Sequence, residues 1–435
     1  MDMQLINGYL NGMRGSKQVP WLRLDNAANL YPSLESKNRP LMFNVSAVLK
    51  EEIDPKRLQK AVDITSARFP YFSVELKAGL FWHYFDHVDQ VPTVRYLDKP
   101  PCGGLSRKQD GHLLYRVTYR GKEINVDFFH ALTDGNGAFS YLNTLLLTYL
   151  RLSGHNLPRT PEIHEPEDTP AEEEQEDAYR SIYQKQILPN SSVPKAFHLP
   201  GPFEPSGSFH LVTGRVSISA LKEISKPLGV SITEYLSAVF IYNLYTIQKD
   251  KSLRKRPVRL SVPVNLRNLF PTRTLRNFVL FVRPEINPSL GDFTFEEILK
   301  LVHHSMRYQL EKKHLSSAVS ANVALEKHLI VKLMPLAIKK LVMIFVYRVF
   351  GENLYSGSLS NIGLIHLPKE LEQLVESFRF TLGHNRINPE NCAVIGYKED
   401  LYITFSRTST DPIAARRFFR FLTSHDIPVT ITQSM

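Results

Sequence analysis

Apolar and polar positions change period along this chain, and each change marks an element. Leu41 to Leu49 is a short apolar-rich run that predicts a strand. Asp54 followed by Pro55 predicts a helix start, with Leu58, Val62, Thr65 and Phe69 on one face. Phe72 to Leu76 alternates, Gly79 turns, and a second strand begins at Phe81. Leu114–Tyr119 and Glu123–Phe129, joined by Arg120-Gly121-Lys122, predict a hairpin with Ile124, Val126 and Phe128 facing one way. His130 stands at the exit of that hairpin, and helical spacing follows Gly137. Further on, Ser231-Ile232-Thr233-Glu234 and Thr294-Phe295-Glu296-Glu297 have the form of capping boxes that open helices. Strands are predicted at 211–216, 258–264, 278–282, 359–365 and 378–382. A closing hairpin spans 393–406 and a helix starts at Asp411. The two halves thus end alike, in a hairpin followed by a helix. Only the first carries a histidine at the strand exit, which predicts one active site rather than two.

With 435 residues, the chain suits two domains of ordinary size. At 43% hydrophobic and 22% charged residues its composition is that of a globular protein. The net charge is +10, although nine carboxylates and no Lys or Arg fall between Glu162 and Asp177. The remainder is therefore strongly basic and suited to anionic partners: nucleotide phosphates, an acidic carrier protein, anionic lipid or nucleic acid. Residues 156–205, acidic and rich in proline, read as a linker between domains at 1–155 and 206–435. Two cysteines, Cys102 and Cys392, give no disulfide framework and fit a cytoplasmic setting. Met1 to Gly15 lacks the pattern of a signal peptide.

The candidate chemistry centres on His130-Ala131-Leu132-Thr133-Asp134-Gly135. An imidazole titrates near neutral pH and can serve as a general base. Asp134 is placed to brace the turn, with Gly135 easing the backbone into the next helix.

This segment resembles the His-x-x-x-Asp-Gly motif of the acyl-CoA-dependent acyltransferase superfamily, which includes chloramphenicol acetyltransferase and peptide-synthetase condensation domains. Ser261 to Arg267, Arg276-Asn277-Phe278 and Ser360-Asn361-Ile362-Gly363 resemble, in order, the family's channel strand, the segment after it and its crossover strand. The resemblance implies an α/β fold of two chloramphenicol acetyltransferase-like subdomains. Each would be a mixed, mostly antiparallel sheet with helices, and a channel would run between them. It implies His130 as base, attacking acceptor and thioester meeting directly, and no bound cofactor beyond acyl-CoA, or an acyl carrier thioester, as co-substrate. Asp134 would pair with Arg267, ahead of Arg273 or Arg276, with Asn265 beside it. Ser360, Asn361 and Asn277 are the oxyanion or channel candidates. Phe129 stands where condensation domains carry a first histidine, and the Asp-Phe-Gly-Trp-Gly motif of plant enzymes is absent. The bacterial alcohol acetyltransferase-like branch fits best. An alcohol acceptor is expected, with an amine-using condensation enzyme or an idle binding module as alternatives. The expected form is a monomer.

The basic run from Lys249 to Arg259 suits CoA phosphates or a solvated loop equally, and no nucleic-acid motif is present. His328 to Phe350 is apolar but interrupted by charge, so a channel-lining or core helix is preferred over one on a membrane surface. Peripheral membrane contact stays among the expectations. His83 with His87, and His303-His304 with His314, lack the companions of a zinc site. Neither a Gly-x-Ser-x-Gly elbow nor a phosphate-binding loop occurs.

Overall fold

The structure is a computed structural model that describes residues 21–185 and 194–433. The stretch read for a signal peptide, Met1 to Gly15, lies outside those residues.

The first half contributes strands β1 (Trp21–Arg23), β2 (Met42–Leu49), β3 (Val74–Ala78), β4 (His83–His87), β5 (Arg95–Tyr96), β6 (Tyr115–Arg120) and β7 (Glu123–Phe129). With them go helices α1 (Tyr31–Leu34), α2 (Pro55–Arg68) and α3 (Gly135–Leu152). The second half supplies β8 (His210–Ser217), β9 (Val258–Asn265), β10 (Val279–Val282), β11 (Glu285–Ile286), β12 (Gly357–Ile365), β13 (Val375–Leu382), β14 (Glu390–Tyr397), β15 (Asp400–Arg407) and β16 (Val429–Gln433). Its helices include α4 (Ile232–Asp250), α5 (Phe295–Gln309), α6 (Lys312–Lys327), α7 (Leu329–Leu333), α8 (Leu336–Phe350) and α9 (Ile413–Ser424).

Local chemistry fixes the helix starts. The Asp54 carboxylate accepts from the backbone N–H groups of Lys56 and Arg57, with Pro55 in the first turn. Both capping boxes form, Ser231 with Glu234 at α4 and Thr294 with Glu297 at α5.

Two sheets frame the molecule. One runs β13-β2-β7-β6-β5, and the other runs β10-β9-β12-β14-β15-β8-β16 with β11 on β9. Most pairings are antiparallel, but β12 is parallel to both β9 and β14. The strand that crosses into the first sheet is β13, antiparallel to β2. The segment Ser360 to Gly363, read as the crossover, stays in the second sheet. The reason is packing: Val375, Phe378 and Phe380 join the first core, whereas Leu359 points into the second. Strand β14 serves both. Cys392 and Val394 face the second core, and Ala393, Ile395 and Tyr397 face the first. Burial on both faces explains its unbroken apolar run.

The acidic stretch differs from a linker. Where described, it is docked on the body by ion pairs: Arg68 with Glu174 at 2.7 Å, Arg151 with Glu165, and the stretch's own Arg180 with Glu326 of α6. Glu174 also accepts from the Tyr71 hydroxyl at 2.6 Å, and its carbonyl accepts from Leu275 N–H at 2.8 Å. The stretch therefore straps the first half to the second.

The reading of His328 to Phe350 as a core or channel helix also fails. Much of α7 and α8 is exposed, Leu341 by 70% and Phe345 by 66%. Among the described residues no helix is long and apolar enough to cross a membrane.

Candidate active site at the seam between the halves

Strand β7 delivers His130 to the seam of the molecule. Its backbone N–H donates to the Leu41 carbonyl at 2.9 Å, which extends the β2–β7 ladder by one bond. The ring lies between Tyr31 of α1, stacked at 4.8 Å, and Phe43 of β2, tilted at 5.0 Å. It is half-buried. Nδ1 lies 3.1 Å from Asn277 Oδ1. The Asn277 amide nitrogen donates to Asp25 Oδ2 at 3.2 Å and to the Ala131 carbonyl at 3.5 Å. Since both acceptors claim the nitrogen, the amide oxygen faces the imidazole and accepts a hydrogen bond from Nδ1–H. Nε2 then carries the lone pair. Burial lowers the affinity of the ring for a second proton, opposed by nearby carbonyls, Asp134 and Asn277. The imidazole is thereby held neutral, in the tautomer a base requires.

Asp25 is completely buried and its carboxyl is pushed up to about 6 by that burial, against the pull of Arg276. It accepts from Ala28 N–H at 2.7 Å, and Arg276 Nε lies 3.6 Å away. Burial also pushes the Tyr31 hydroxyl above its ordinary range, helped by the charges of Asp25 and Asp134. Neither Asp25 nor Tyr31 stood out in the sequence. An Asp three residues before the N–H it caps signals only a turn.

Asp134 does three things at once. It caps α3 by accepting from Asn136 and Gly137 N–H groups, at 3.0 and 3.3 Å. It pairs with Arg267 at 2.8 Å, and it accepts from Phe278 N–H at 2.9 Å. Arg267 in turn donates to the Thr274 and Arg276 carbonyls, at 2.9 and 2.6 Å. Asn265 Oδ1 supports it through its N–H and Nη1, at 3.1 and 3.3 Å. Of the other arginines considered, Arg273 is exposed near Glu173 and Arg276 belongs to Asp25. Thr133 Oγ1 adds a bond to the Leu275 carbonyl at 2.5 Å. The turn after His130 is thus bolted to the 265–278 segment of the second half.

Glycine serves close approach here. Gly135 has no left-handed backbone, so the reading that it eases a tight turn is replaced. A Cβ there would stand 2.5 Å from Ile362 Cδ1 of β12. At Gly137 a Cβ would meet the Leu275 carbonyl oxygen at 2.2 Å. The Gly137 requirement was not foreseen.

The oxyanion candidates separate. Asn277 is committed to His130. Asn361 donates to Thr233 Oγ1 at 2.9 Å and accepts from Gly363 N–H at 2.9 Å. Ser360 is buried on β12, and no side-chain hydrogen bond engages it among the described residues. Two surface clefts lie away from His130. One, of about 240 Å³, involves Ile182, Phe270, Thr272 and Phe278, and the other involves Arg159, Ile163 and His164.

The basic run divides. Arg259 is a buried strut that donates to Glu285 and to the Leu354 carbonyl, Lys249 pairs with Asp292, and Arg254 and Lys255 are exposed. His83 and His87 sit on β4, and His303 lies 3.4 Å from Glu234. Among the described residues no group of three or more His, Cys, Asp or Glu is arranged to hold a metal. Both cysteines are buried, which raises their thiols above the ordinary range.

No family model matches the sequence, and no curated protein matches it. Solved structures do match by fold. A starter condensation domain of rhizomide synthetase RzmA, in complex with C8-CoA, superposes with a TM-score of 0.60 at 14% identity, covering 96% of each chain. TRI101 of F. sporotrichioides, complexed with coenzyme A and T-2, gives 0.59 at 13% identity over 94% of this chain and 99% of its own. The TRI3 trichothecene 15-O-acetyltransferase of Fusarium sporotrichioides gives 0.58 at 10% identity over 92% and 93%. Across nearly its whole described length, the chain therefore has the two-lobed fold shared by condensation domains and chloramphenicol acetyltransferase-like acyltransferases.

Proposed function

We propose that the protein is an acyltransferase in which His130 moves an acyl group from acyl-CoA to an alcohol. The observation that carries this reading is the Asp25–Asn277–His130 chain, which leaves Nε2 as a neutral base at the seam. Nε2 takes the proton of the acceptor hydroxyl as its oxygen bonds to the thioester carbon. The tetrahedral centre then expels sulfur, and the imidazolium returns the proton to the CoA thiolate. The buried Ser360 hydroxyl is the remaining candidate to stabilise the oxyanion. Asp134 and Arg267 hold the turn that aims the ring and take no proton. The fold neighbours with CoA in their structures support a CoA donor here. In the same reading the chain works as a cytoplasmic monomer.

The test is release of free CoA from acetyl-CoA and octanoyl-CoA, followed with a thiol reagent against a panel of alcohols and amines, with products identified by mass. Acceptor-dependent CoA release with an ester product is expected. Amide products would move the assignment to a condensation-type enzyme. Absence of acceptor-dependent release across the panel would contradict the reading.

A further inference from the structure

Helix α8 divides by spacing. Lys339, Met343 and Tyr347, four residues apart, form its inner face. Lys339 is buried; its ammonium donates to the Phe81 carbonyl at 2.8 Å and lies 3.2 Å from the centre of the Trp82 ring. Met343 sulfur accepts from the Ser33 hydroxyl at 3.8 Å, and Arg39 stacks on Tyr347 at 4.9 Å. This face lies against α1, whose Tyr31 stacks on His130.

Among the described residues the outer face is left uncovered. Ile338, Leu341, Val342, Phe345 and Val346 are all exposed, and the preceding α7 exposes Leu329, Ile330 and Leu333. A soluble surface scatters such residues singly, whereas here they are contiguous. Charge identifies what covers them. From Lys327 to Gly351 the sequence contains no Asp or Glu, while Lys332 and Lys340 are exposed among the apolar residues. Glu35, just past α1, faces Lys340. At 15 residues α8 extends about 22 Å, too short to span a bilayer but suited to lying in its surface.

We propose that the outer face of α7 and α8 seats the protein on an anionic lipid bilayer, with the leucines and Phe345 entering the acyl boundary and Lys332 and Lys340 meeting phosphates. Tyr31 and His130 then lie directly behind the docked helix, so an amphiphilic acceptor would be drawn from the lipid phase.

The experiment is co-sedimentation of the full chain with phosphatidylcholine vesicles, with and without phosphatidylglycerol, alongside its mass in solution. Binding to the phosphatidylglycerol vesicles is expected, weakening with salt. It should fall at least about tenfold in Leu341→Glu/Phe345→Glu and in Lys332→Glu/Lys340→Glu. Circular dichroism checks folding, and Leu329→Glu/Ile330→Glu on α7 gives a second apolar test. His130→Ala should bind as the parent does, which separates docking from catalysis. Protein left in the supernatant with both vesicles, or bound equally to both, would overturn the proposal. So would a dimer in solution that Phe345→Glu splits, since the covering partner would then be a second copy.

Discussion

The chain builds one unit twice, a hairpin that ends in a turn and a helix, and the two copies have opposite fates. In the first, β6 and β7 lead to His130 and α3; in the second, β14 and β15 lead to Arg407 and α9. Asp134 caps α3 from within its own turn. In the second copy the cap comes from Glu390, directly across the ladder from Arg407, which accepts from Ala414 and Ala415 N–H at 3.4 and 2.9 Å. Arg407 folds back on the Ser409 and Thr410 carbonyls. Arg407, Thr408 and Ser409 are all buried there, so the second turn is a plug. The first leaves an imidazole half-buried with one nitrogen uncommitted to a side chain. What separates the two turns on this scaffold is the residue at the strand exit and where its cap comes from.

The contrast breaks most sharply at His130. His130→Ala should cost on the order of 10²–10⁴ in turnover while thermal unfolding stays close to the parent's. Activity within a few-fold of the parent would remove His130 from the chemistry. Asp134→Asn should lower stability and activity together. Asp134 and Arg267 are both buried, and stranding the arginine costs roughly 3–5 kcal/mol. A double-mutant cycle with Arg267→Ala should show strong coupling, and additive effects would contradict the bolt.

At the second turn, burial pushes Glu390 from its ordinary 4.5 up to about 7. A carboxyl raised by folding favours the native state while protonated, and that advantage is lost as pH rises through the folded value. Stability should therefore fall between about pH 4.5 and 7, by about 3 kcal/mol for this group. Glu390→Gln should flatten that slope in chemical unfolding while leaving transfer activity intact; an unchanged slope would assign the dependence elsewhere. The smallest effect is expected from Asn277→Ala, which frees Nδ1 and loosens the tautomer. It should lower kcat about tenfold with KM nearly unchanged and shift the acid limb of the pH profile. A change in KM alone would make Asn277 a substrate contact instead.

Much of this was legible in the residues because it is local. The Asp54 cap, both capping boxes and the β6–β7 hairpin depend on neighbours within a few positions. The Asp134–Arg267 pair was readable from motif spacing and from the resemblance of Ser261 to Arg267 to a family segment. Hidden features depend on distance. Asn277 meets Asp25 across 252 positions, and nothing periodic links them. The exchange of β13 into the first sheet is a choice between two cores that both accept apolar strands. The acidic stretch looked like a linker because its arginine partners, such as Arg68, lie in other elements. Helix α8 looked like a core helix because composition does not reveal which face remains uncovered.

The central claim, that His130 is a neutral base waiting at Nε2, is tested most directly by the pH dependence of acyl-CoA turnover with a saturating acceptor. Burial lowers the imidazole from its ordinary 6.5, so activity should rise with pH through a single step below that value and hold level above it. In His130→Ala the residual rate should lose that step. A step above the ordinary histidine value, or one that survives in His130→Ala, would contradict the account.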